Sequence, residues 1–95
     1  MKKLDNVTTT ITKNDSEKFT YADLLKAVIN NAPQGGFTPE EMSKRLHVMA
    51  AVKDAKKDIE LEDADVDTLK AAAKTMKWAF IHEELAEFSA AIAAL

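Results

Sequence analysis

Three short stretches of this chain carry residue types able to do chemistry. The first, His82-Glu-Glu-Leu-Ala-Glu87, sets an imidazole among three carboxylates, with Glu83 and Glu87 one helical turn apart. Paired carboxylates at that spacing share metal ions in helical-bundle enzymes. The stretch is not HExxH, because residue 86 is Ala, and a zinc site would have to draw on the distant His47. The second, Asp63-Ala-Asp-Val-Asp67, opens like a calcium loop. Its sixth position is Thr68 where Gly is needed, and its twelfth is Lys74 where a bidentate Glu is needed. These aspartates are expected instead to cap a following helix and to favour its positive end.

The third stretch is Gly35-Gly-Phe-Thr-Pro39. Glycines ahead of a helix N-terminus can cradle phosphate. This run has neither the GxxxxGK[ST] nor the GxGxxG spacing, and Glu40 and Glu41 in the first turn would repel an anion. The serines at 16, 43 and 89 have no nucleophile-elbow context, and with two histidines in the chain no triad can be drawn. No catalytic, metal or cofactor residue is therefore assigned. Enzymatic activity is not expected.

The elements that would position these groups read mainly as helices. Thr20 is a good N-cap, with Asp23 placed to help the first turn, and Ala22, Leu25 and Ile29 share a face that Leu24 and Val28 widen. Asn30-Asn-Ala-Pro-Gln-Gly-Gly36 should end that helix. Thr38 at the N-cap, Pro39 at N1 and Glu41 at N3 predict a capping box, with Phe37 stapled to Met42. A second helix is expected from Pro39 to about Lys57, with Met42, Leu46, Met49 and Val52 close to one face.

From Val66 to Leu95 there is neither Gly nor Pro, and apolar residues recur with a spacing near 3.6. One long helix fits this run, as do two helices with a break near Ile81 to Glu83. The quartet Trp78-Ala-Phe-Ile81 is apolar on almost all sides and is expected to be surrounded, by the other helices or by a second subunit, at the centre of the core. Outside the helices, Val7 to Thr12 and Ile59 to Leu61 have strand character and could pair with each other.

The chain of 95 residues is of single-domain size, small enough that a partner or a second copy would help its stability. With no cysteine it has neither a disulfide framework nor a thiolate metal site, and a reducing compartment suits it. The basic start, MKK, is not followed by the apolar core of a signal peptide, and no run approaches about 18 apolar residues; secretion and membrane spanning are not expected, and the cytoplasm is. Net charge is −3, unevenly spread: residues 1 to 57 carry ten Lys/Arg against seven Asp/Glu, and residues 58 to 95 carry three against nine. A modest basic face of Lys44, Arg45, Lys53, Lys56 and Lys57 is the only candidate for nucleic acid. Pro-Glu-Glu at the start of the second helix makes it a poor recognition helix.

The stretch FTYADLLKAVINNAPQGGFTPEEMSKRLHVMAAVKDA, followed by IELEDADVDTLKAAAKTMKWAFIHEELAEF, resembles short helical proteins of tailed bacteriophages and prophages over about residues 19 to 90. The resemblance implies a small phage-borne protein acting in virion assembly or on a host component, and it carries no site residues with it. The expected architecture is mainly α: an N-terminal arm, residues 1–18, able to form a short strand, and a helical domain of three or four helices, residues 19–95. The expected function is a non-enzymatic protein–protein interaction or assembly module, partnered by itself as a homo-oligomer or by a phage or host protein. The candidate contact residues are Trp78, Ile81, Leu85, Phe88, Ile92 and Leu95. The alternative is a small nucleic-acid-binding regulator using the basic end of the second helix.

Overall fold

The computed structural model describes residues 1–32 and 34–95. Its elements run β1 (Lys2–Asp5), β2 (Thr8–Thr12), β3 (Lys18–Thr20), α1 (Tyr21–Asn30), α2 (Pro39–Lys53), β4 (Asp58–Leu61), α3 (Asp63–Thr75) and α4 (Glu83–Ala93). The expectation of a mainly α, all-helical bundle is thereby corrected. The fold is α+β, with two antiparallel two-stranded sheets, β1 with β4 and β2 with β3, beside the four helices. Each strand is three to five residues long and buries at most two side chains, so the period-two signal in the sequence is only a residue or two deep.

Both runs with strand character form strands, but they do not pair with each other. Ile59 lies opposite Leu4 across the β1–β4 ladder, where both side chains are buried, and Lys3 pairs with Glu60 at 3.7 Å on the outer face. Thr8–Thr12 pairs instead with Lys18–Thr20 as a local hairpin, closed by Asn14, whose side-chain oxygen accepts the amides of Ser16 and Glu17 at 3.0 Å. The register shifts within this hairpin. Buried Thr9 fills the irregularity: its hydroxyl donates to the Phe19 carbonyl at 2.7 Å and accepts the Ile11 amide at 3.2 Å.

The hairpin delivers the chain directly into α1, and the first three amides of that helix all find acceptors. Tyr21 N–H donates to the Val7 carbonyl, Ala22 N–H to Asn6 Oδ1, and Asp23 N–H to Thr20 Oγ1, while Asp23 Oδ2 accepts the Thr20 amide in return. The connection between β1 and β2 thus helps to cap the central helix. Its buried face of Leu24, Leu25, Val28 and Ile29 meets Val48 and Val52 of α2, Ile59 and Leu61 of β4, Leu69 of α3, and Phe88 and Ile92 of α4 in one cluster. Burying each such aliphatic side chain stabilises the fold by about 1.5–3 kcal/mol.

Pro33, part of the expected breaker after α1, lies outside the described residues. Gly35 and Gly36 hold φ of 91° and 83°, a region that side-chain-bearing residues seldom enter. The start of α2 departs from the expected box. Thr38 Oγ1 accepts the Glu41 amide at 3.1 Å, but the Glu41 carboxylate turns away to Arg45, and Phe37 packs under the Arg45 guanidinium, which lies 4.6 Å from its ring centre.

Only the second half of the expected stripe reaches the core, with Val52 buried and Met49 half-buried. Arg45, Val48 and Val52 point inward, whereas Met42 and Leu46 stand 49% and 63% exposed. The residues after Val66 form two helices, joined by Met76–His82. Thr75, Trp78, Phe80 and Ile81 are weak helix formers, and no Gly or Pro announces the break. The quartet Trp78 to Ile81 is consequently not surrounded by the other helices, and the centre of the core lies at Leu25, Leu69 and Phe88.

One polar clasp fixes α4 to the N-terminal hairpin. Glu84 accepts the Thr10 backbone N–H through both carboxylate oxygens, at 2.9 and 3.1 Å, and the Thr10 hydroxyl as well. Those hydrogen bonds, to the ionised form, hold the Glu84 carboxyl below its ordinary value of 4.5. A carboxylate depressed in the folded state contributes stability above its unfolded value, and loses it as pH falls through the lower folded value. Glu84→Gln is therefore expected to lower the melting temperature at pH 7, with the difference from wild type closing once both are melted near pH 2. A gap independent of pH would remove the carboxylate from this role.

Candidate functional site

Two places on the surface have features that the core does not account for. The first is the α3–α4 connection, Met76–His82. Trp78 turns inward and meets Phe88 edge-on, 6.3 Å between ring centres, which anchors the middle of the loop. Beyond that anchor the chain leaves Phe80 52% exposed, and Ile81 is as exposed as in an extended chain, at 102%. Two adjacent large apolar side chains in water are costly, at about 25 cal/mol for each Å² left uncovered. His82 then caps α4, its Nδ1 accepting the Glu84 amide at 3.1 Å, and Phe80 stands edge-on to its ring. The apolar pair is bracketed by opposite charges, with exposed Lys77 before it and exposed Glu83 after it.

The six contact candidates divide on the structure. Leu85, Phe88 and Ile92 are buried in the core of the same chain, Trp78 and Leu95 are half-buried against it, and Ile81 stands clear. The basic set divides too. Arg45 is buried: it pairs with Glu41 at 2.9 Å and donates to the Ile29 carbonyl at 2.7 Å, while Lys44 pairs with Glu40 at 3.5 Å. Lys53, Lys56 and Lys57 are exposed at and beyond the end of α2.

The second place joins α2 to the start of α3. His47, exposed on α2, brings Nδ1 to 2.6 Å from Oδ1 of Asp65, which is buried, and Nε2 to 3.9 Å from Glu62 Oε2. Asp65 sits at the third position of α3, its other oxygen accepting the Glu62 amide at 3.2 Å. That is the capping role expected of the aspartates at this helix start. An ionised Asp65 can only accept, so Nδ1 of His47 carries the hydrogen. This hydrogen bond, together with the negative charge of Asp65, raises the His47 pKa above its ordinary 6.5.

Among the described residues this is the only set of three His, Cys, Asp or Glu side chains close enough to share an ion. His82, Glu83 and Glu87 are not such a set, and His82 Nδ1 is taken by the α4 cap. Sequence reasoning noted His47 and Asp65 separately and could not join them, since nothing local relates a side chain on α2 to one 18 residues later. Glu62 was missed. Its signal was the pairing of an acidic residue with Asp65 three positions on, at a strand-to-helix junction.

Among the described residues, no helix is long and apolar enough to cross a membrane. Compared with known proteins, the chain matches no family model, no curated protein and no solved structure.

Proposed function

We propose that this chain is a non-enzymatic self-association module, with the α3–α4 loop as its contact and Phe80 and Ile81 at the centre of that contact. The observation that carries the reading is the full exposure of Ile81 beside a half-exposed Phe80, on a loop that the inward-turned Trp78 anchors. A second copy is the occupant that the flanking charges favour. In a twofold contact the same patch faces itself in the opposite direction, so Lys77 of one copy meets Glu83 of the other while the apolar pairs cover each other. The outer side of α4 adds exposed Ala86, Ala90 and Ala93, small enough for close approach of a second helix. An assembly component of the kind implied by the resemblance to tailed-phage proteins is part of this reading.

Ile81→Asp separates the contact from the fold. The side chain touches little of its own chain, so the variant should melt within about 0.5 kcal/mol of wild type. Sedimentation velocity should show wild type moving from monomer to dimer with rising concentration and Ile81→Asp remaining monomeric. Equal association of the two proteins would overturn the proposal.

A further inference from the structure

We infer that His47 and Glu62 form a site for a borderline-soft divalent cation, Zn²⁺ or one of its transition-metal neighbours, with buried Asp65 as the positioning residue that aims the imidazole. The geometry has the arrangement found behind metal-bound histidines, in which a carboxylate accepts one ring N–H so that the other nitrogen offers its lone pair outward. Asp65 is well placed for this. It is buried, it is fixed by the Glu62 amide at 3.2 Å, and it holds Nδ1 at 2.6 Å. The ring cannot rotate without stranding a buried carboxylate, so Nε2 is aimed at Glu62 before any ion arrives.

The spacing fits a shared ion. Nitrogen and oxygen ligands about 2.0–2.1 Å from a tetrahedral zinc lie about 3.3 Å from each other. The observed 3.9 Å between Nε2 and Glu62 Oε2 closes with a small adjustment of an exposed side chain. Asp65 is not a ligand to this ion, since the two ring nitrogens point in divergent directions. Ala50, Ala51 and Glu60 line the same recess, leaving room for water to complete the coordination. The α3 N-terminus opposes a cation with about half a positive charge. Glu60, Glu62 and Asp65 outweigh it; Lys3 is already paired with Glu60, and Met1, which carries the chain's amino group, lines the same recess.

The competing ligand for Nε2 is a proton, because Asp65 favours the charged imidazole. Binding should therefore weaken as acid protonates the imidazole. The test is a Zn²⁺ titration of the full chain, followed by the ring resonances of its two histidines. His47 should shift saturably at one equivalent while His82, tied to the α4 cap, stays in place. Glu62→Gln should weaken the response by at least about tenfold, the loss typical of disturbing such a site. This variant changes an exposed side chain and keeps the backbone amide that Asp65 holds. Mg²⁺, a hard cation that does not seek imidazole, should leave both rings unmoved. Parallel, unsaturated shifts of both histidines, a Glu62→Gln response equal to wild type, or an equal response to Mg²⁺ would each overturn the inference.

Discussion

Phe88→Ala should cost about 4 kcal/mol of folding free energy, read as a shift of the urea midpoint. The ring is fully buried and sits edge-on to Tyr21, with centres 5.0 Å apart, as well as to Trp78. It therefore loses apolar burial and two oriented aromatic contacts together, each of the latter worth about 0.5–1.5 kcal/mol. Against a total of about 5–15 kcal/mol for a domain of this size, that is a large share. The loss should also be local at first, since α4 is held by Leu85, Phe88 and Ile92 and by the Glu84 clasp. Trp78 fluorescence should report loosening of the α3–α4 loop before the rest of the chain unfolds. Phe88→Asp, which would bury an unpaired charge, should not fold at all. A soluble, folded Phe88→Asp would show that this face meets solvent or a partner and not the interior.

Arg45→Ala should cost about 3 kcal/mol, an unusual figure for an arginine on a helix. Its guanidinium gives Nη1 to the Ile29 carbonyl, near the end of α1, at 2.7 Å, and Nε and Nη2 to Glu41 Oε1 at 3.2 and 2.9 Å. Removing it leaves a buried carbonyl without its donor, and strips the cover from Phe37. The Glu41 side chain is 40% exposed and can return to water, which keeps the cost below that of a fully buried pair. Arg45→Lys should recover little, because a single ammonium cannot reach the carbonyl and the carboxylate in the same fork geometry. Denaturation in urea measures all three proteins. A loss below about 1 kcal/mol for the alanine variant would mean that the contacts are those of an ordinary surface ion pair.

Arg45 also explains where reading the sequence alone stops. At the start of α2, Met42 and Leu46 continue the helical spacing of Met49 and Val52, and hydropathy prefers them to Arg45. The inward turn of Arg45 is decided by something no periodicity contains, namely the open carbonyls at the end of α1 and the ring of Phe37. By contrast the starts of α1 and α2 were legible, because capping by Thr20 and Thr38 depends on residues within one turn. The strands were half legible. Their residue types were visible in Thr8–Thr12 and Ile59–Leu61, but the partner of Ile59 is Leu4, on a four-residue stretch with a single inward side chain.

The loop between α3 and α4 was legible as an apolar quartet and misplaced as core. Its exposure follows from Trp78 turning to Phe88 while the next residues run on toward the His82 cap. Ile81 is among the six contact candidates; Phe80, its exposed neighbour in the same quartet, is not.

Self-association through the α3–α4 loop is tested by a dilution series of amide correlation spectra on the wild-type chain. The proposed contact predicts concentration-dependent shifts confined to residues 77–83 and the adjoining outer side of α4, saturating toward one dimeric state. Spectra that do not change with concentration, or shifts centred on the other exposed apolar pair, Met42 and Leu46, would contradict it.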